Sequence, residues 1–100
     1  MMARVAARID ANQPEVVDAL RTDGCTVLSL AAIGKGCPDL MVGKRGINAL
    51  FEVKDGSKPP SAQRLSKDQI AWVKAWQGHV CVVRSAEEAV SVMRGLVGDE

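Results

Sequence analysis

Pro38-Asp39 and, a short hairpin later, Glu52-Val53-Lys54 place two carboxylates and a lysine within reach of one another. Such a grouping is costly in a small domain unless something uses it. A hard divalent cation and a phosphodiester would use it together. Carboxylate oxygens hold the cation, and the lysine sits where negative charge develops.

The positioning depends on one turn. Leu40-Met41-Val42 and residues 47–53 read as two short strands joined through Gly43-Lys44-Arg45-Gly46. A tight even-length turn centred on Arg45-Gly46 sets Asp39 directly opposite Glu52. Opposed residues of an antiparallel pair share a face, with Cβ atoms roughly 4.5–5.5 Å apart. Lys54 lies two residues beyond Glu52 and points to that same face. A three-residue turn would slip the register by one and turn Asp39 away. Taken singly, each fragment has a plainer use. Asp after Pro commonly enters a strand or turn, and Glu-x-Lys forms weak pairs on wet strand faces. The catalytic reading rests on their combination in this context.

The other elements follow from periodicity and punctuation. Residues 14–23 read as a helix with Pro14 in its first turn and Val16, Val17 and Leu20 on one face. Val5 and Ile9 continue an apolar rhythm before it. Residues 25–30 read as a strand, followed by a small-residue loop, 31–37. Residues 55–63 hold Pro59-Pro60 and read as a polar loop. Ser66 and Gln69 form a capping box opening a helix to about Trp76, with Gly78 as terminator. Residues 80–83 are a continuous apolar run, expected of a strand buried on both faces. Ser85 and Glu88 repeat the capping-box spacing ahead of a last helix ending at Gly98. The expectation is a single α/β domain over residues 1–100, a mixed β-sheet flanked by helices in the order α-β-β-β-α-β-α. The helical crossover makes the fourth strand parallel to a neighbour.

Composition sets bounds. One hundred residues suit one domain with a usable core, and the net charge of +1 does not announce a nucleic-acid binder. Acids grouped at a metal site would leave local basic surface elsewhere, with Lys35, Lys44, Arg45, Lys58, Arg64 and Lys67 as candidates. Cys25, Cys37 and Cys81 are odd in number, without zinc-type spacing, and fit a reducing cytoplasm. Residues 1–10 lack the apolar stretch of a signal peptide, and no run approaches the roughly 20 apolar residues of a membrane helix. His79, at the start of a strand, reads as structural. Trp72 and Trp76, spaced i, i+4, read as core packing or a subunit interface in preference to a base-stacking platform. Arg84, at a strand end, reads as a phosphate contact or a structural arginine.

Gly36-Cys37-Pro38-Asp39-Leu40, Phe51-Glu52-Val53-Lys54, Leu65-Ser66 with Gln69 and Trp72, Gly78, and Val82-Val83-Arg84-Ser85 together resemble the VRR-NUC family of the PD-(D/E)xK nuclease superfamily. The resemblance spans residues 14–90 and implies a restriction-endonuclease-like core. It implies Asp39, Glu52 and the Val53 carbonyl as ligands of Mg2+ or Mn2+, with Glu15 helping through water. Lys54 would position the attacking water or stabilise the transition state, beside Gln69. Glu15 also has the helix dipole to explain it, and Gln69 the capping box. The implied activity is an endonuclease that hydrolyses DNA phosphodiesters, leaving a 3′-hydroxyl and a 5′-phosphate. Duplex or branched DNA is the expected partner, as for Holliday-junction resolvases, and stand-alone members come mostly from phages and bacteria. The alternative is a DNA-binding or assembly module on the same scaffold without turnover. A homodimer is expected: the chain has no separate domain to grip a substrate, it is 47% hydrophobic, and two-fold dimers are the commonest soluble homo-oligomers.

Overall fold

The computed structural model describes residues 9–99; the apolar rhythm through Val5 lies outside the described residues. The elements are α1 (Gln13–Thr22), β1 (Thr26–Ser29), β2 (Leu40–Lys44), β3 (Ile47–Val53), a 3-10 turn (Pro60–Gln63), α2 (Lys67–Ala75), β4 (Val80–Val83) and α3 (Ala86–Val97). The sheet runs β1-β2-β3-β4 and is mixed: the first three strands form an antiparallel meander, and β4 lies parallel to β3.

The β2–β3 turn sets the register on which the site depends. Arg45 and Gly46 both adopt left-handed backbone, with φ of 51° and 81°. That is the two-residue turn whose twist matches the flanking strands. Lys44 therefore opposes Ile47, and Leu40 opposes Phe51. One step further along that register, Asp39 stands opposite Glu52.

Alternation then divides the sheet. Leu40, Val42, Ala49, Phe51, Val53 and Val83 turn to one face and form the core with Val16 and Leu20 of α1 and Ala89 and Met93 of α3. Residues 50, 52 and 54 turn to the other. The helices do not share the work evenly. α1 and α3 close the core, whereas α2 has no buried residue.

Three expectations need correction. β4 is an edge strand in which only Val83 is buried, because no further strand covers it and Val80 and Val82 face away from α1 and α3. α2 ends at Ala75; Trp76 leaves the helix in extended backbone, so Gly78 is not its terminator. The second capping box is half formed. Ser85 Oγ accepts the Glu88 N–H at 3.0 Å, but Glu88 reaches past Ser85 to the Arg84 N–H at 2.6 Å.

The loop between β1 and β2 meets α2 through Gly36. A Cβ there would lie 2.5 Å from the Asp68 carbonyl carbon, and the residue holds φ +82°. Gly46, in contrast, has open space around it at φ +81°. Gly46→Ala therefore carries only the left-handed penalty of about 1–2 kcal/mol. Gly36→Ala carries that penalty plus a clash with backbone. Urea unfolding should rank Gly36→Ala clearly below Gly46→Ala in stability; equal losses would mean that the loop moves away from α2 freely.

Candidate metal centre

Asp39 and Glu52 are 5% and 3% exposed, which for two carboxylates calls for named partners. Asp39 Oδ2 accepts the Val53 N–H at 2.7 Å, so the residue between Glu52 and Lys54 anchors the opposing acid. Glu52 Oε2 accepts from Gln69 Nε2 at 3.0 Å and lies 3.6 Å from Lys54 Nζ. Lys54 Nζ donates to Gln69 Oε1 at 3.2 Å.

Gln69 thus serves both of the roles read for it. Its Oε1 accepts the Ser66 N–H at 2.8 Å, and Ser66 Oγ accepts the Gln69 N–H at 3.1 Å, completing the capping box. The same side chain bridges Glu52 and Lys54. The helix start and the site share one amide.

Electrostatics follow from burial. Desolvation pushes the Glu52 carboxyl up to about 8; the charge on Asp39 pushes the same way, and Lys54 pulls against both. Asp39 is also raised, chiefly by burial, with the Val53 N–H opposing. Two like charges in a shared low-dielectric space resist simultaneous ionisation.

Asp39, Glu52, Lys54 and Gln69 line one cavity of about 680 Å³, with Lys35, Lys58 and Arg64 among its other walls. Of the remaining candidate cations, Lys44 pairs with Asp23 and Asp99, and Arg45 with Asp99. The structure does not bring Glu15 to this cavity. Glu15 faces a neighbouring hollow that includes Arg84, and Arg84 donates to Gln63 there at 3.0 Å. The acid reaching the cavity from the α1 side is Asp10. Sequence reasoning missed it because an Asp just before a helix is by default a turn residue.

Asn12 was missed too. It stands at the N-cap of α1, but its side chain makes no cap bond. Its Nδ2 instead donates to the Lys54 carbonyl at 3.1 Å and the Arg84 carbonyl at 3.4 Å. It ties the ends of β3 and β4 beside the lysine.

Hard oxygen donors on two buried carboxylates suit magnesium or manganese, which commonly take one or two carboxylates and complete their shell with water and phosphate. Cys37 lines the cavity, but burial pushes its thiol pKa up and so disfavours the thiolate a softer metal would need. Among the described residues no three His, Cys, Asp or Glu side chains converge closely enough to hold an ion. The Val53 carbonyl, water or substrate oxygen would have to complete the set.

No family model matches the chain, and no match is found among curated proteins or solved structures. Among the described residues no helix is long and apolar enough to cross a membrane.

The raised Glu52 pKa has a stability consequence. The folded chain keeps a proton that the unfolded chain, at its ordinary 4.5, releases. The contribution of this carboxyl to stability is therefore full below about pH 4.5 and drains as pH rises toward about 8. Thermal melts in chelator should show Tm falling across that interval, and Glu52→Gln should flatten the fall. Magnesium should restore more Tm at the alkaline end. A wild-type Tm that rises steadily through the interval would contradict the buried carboxyl.

Proposed function

We propose that the chain is a metal-dependent endodeoxyribonuclease with a restriction-endonuclease-like core, of the VRR-NUC type, hydrolysing phosphodiesters of duplex or branched DNA. The observation that carries the reading is the hairpin register, which puts Asp39 across from Glu52 with Lys54 two residues on, in one cavity. Asp39 and Glu52, with the Val53 carbonyl, would hold Mg2+ or Mn2+. Such a cation supplies a Lewis acid that polarises phosphoryl oxygens and acidifies a water.

The chain's own groups do the rest. Lys54 offsets negative charge as it grows on the phosphorus oxygens during in-line attack. Gln69 bridges Lys54 and Glu52 and so orients both, and Asn12 fixes the backbone at Lys54. Lys58 and Arg64 meet the flanking phosphates. Glu15, one hollow away, contributes at most through water. The products are a 3′-hydroxyl and a 5′-phosphate. The working species is a two-fold homodimer in a bacterial or phage-infected cytoplasm. Leu28 and Ile33, 61% and 58% exposed on and beside edge strand β1, offer apolar surface for the partner copy.

A second reading keeps the DNA and drops the turnover. It draws on the absence, among the described residues, of three converging ligands. A salt-dependent mobility shift without cleavage in either metal would favour it.

Linear duplex, flap, splayed-arm and four-way-junction substrates in magnesium, manganese and chelator test the first reading. Cleavage should require the metal. Asp39→Asn should abolish it, and Lys54→Ala should lower it by about a hundredfold or more while sparing metal binding. Wild-type rates in Asp39→Asn would show the site to be assigned wrongly. Light scattering should give twice the 10.6 kDa of one chain; a monomer with full activity would remove the dimer.

A further inference from the structure

Trp72 and Trp76 are the chain's only tryptophans, and the structure leaves both outside the core and outside the shell of residues packed on it. Their rings stack on each other, with centroids 5.1 Å apart and planes at 29°. Trp76 is 43% exposed. Its ring edge lies over Gly78, where a Cβ would stand 2.9 Å from Trp76 Nε1, so the glycine makes room for the indole.

Ala71 and Ala75 leave space beside the rings, and an open hollow of about 370 Å³ results, bordered by Lys35 and Asp68. Lys35 and Asp68 are also walls of the Asp39–Glu52 cavity. The aromatic hollow and the carboxylate cavity are therefore neighbours across Lys35 and Asp68. Lys35 makes no ion pair among the described residues.

We infer that the Trp72–Trp76 hollow is a stacking subsite for an unpaired nucleobase of the strand whose phosphodiester lies at Asp39, Glu52 and Lys54. The inference rests on the reading of that cavity as a phosphodiester site. Every base has a π-face, and aromatic side chains bind it without regard to sequence. A strand passing from one hollow to the other carries a phosphate past Lys35, which supplies the matching charge. A base held in a duplex has its faces covered by its neighbours. The hollow therefore selects strands with an unpaired segment, such as flaps, splayed arms and junction openings.

Because no other tryptophan is present, intrinsic fluorescence reads this hollow directly. The full chain in chelator is titrated with a single-stranded oligothymidylate and with a blunt duplex of equal length. The single strand should quench the emission and the duplex should not. Trp76→Ala should weaken single-strand binding about tenfold, and Trp76→Phe should recover most of it. Lys35→Gln should weaken it too, with a shallower salt slope, and carries the test if Trp76→Ala fails to fold.

No quenching by the single strand overturns the inference, as does unchanged single-strand affinity in both Trp76→Ala and Lys35→Gln. Conversion of a dimer to a monomer by Trp76→Ala, with single-strand affinity intact, assigns the hollow to a second copy and overturns it likewise. The two readings fail separately. Quenching without cleavage of any substrate in magnesium or manganese keeps the subsite and removes hydrolysis; cleavage of blunt duplex without quenching does the reverse.

Discussion

Burying two carboxylates side by side is the constraint around which this small domain is arranged. Asp39 and Glu52 are almost wholly buried at the wall of the cavity; burial raises the cost of ionising each, and the charge on Asp39 raises it further for Glu52. A hydrophobic pair of similar volume would be easier to bury. What compensates is directional: one backbone N–H for Asp39, one amide and one ammonium for Glu52. These partners come from β3, α2 and the residue after β3, so the cost of the pair is spread over most of the chain's layers.

The partners are fixed by structure that has other duties. Val53 sends its side chain into the core and its N–H to Asp39, so core packing and carboxylate orientation are set by one residue. Gln69 caps α2 and bridges the site with one side chain. α2 buries nothing of its own, and a helix of nine residues is marginal without packing. Its placement therefore depends on the capping box, on the Gly36 contact and on the polar bridge to Glu52. The site helps to hold the helix that in turn helps to hold the site.

That mutual dependence explains what could be read from sequence. Asp39, Glu52 and Lys54 were legible because the turn residues fix the register, and period-two alternation fixes the faces. The helices with strong caps were legible at their starts, since a cap is a local hydrogen bond. What escaped were features decided by tertiary neighbours. The exposure of β4 depends on its place at the sheet edge, which an apolar run does not encode. Glu88 could complete a box on Ser85 or reach to Arg84, and spacing alone favours the first. Asp10 and Asn12 act at distances of tens of residues along the chain, where no periodicity carries a signal.

The near-neutral composition hides a layered arrangement of charge. Three of the four acids of the cavity sit on or beside regular elements, Asp39 just before β2, Glu52 in β3 and Asp68 in α2, and the fourth, Asp10, precedes α1. Lys35, Lys58 and Arg64 come from the connecting segments around it. Mutually repelling groups need rigid backbone to stay together, because any freedom would be used to separate them. Groups that meet a variable polyanion gain from the opposite, since loop backbone can follow a phosphate that moves. A net charge of +1 therefore carries no argument against a nucleic-acid partner here. The relevant quantity is the local arrangement of charge, with the buried acids Asp39 and Glu52 where a cation would sit and Lys35, Lys58 and Arg64 in the segments around them.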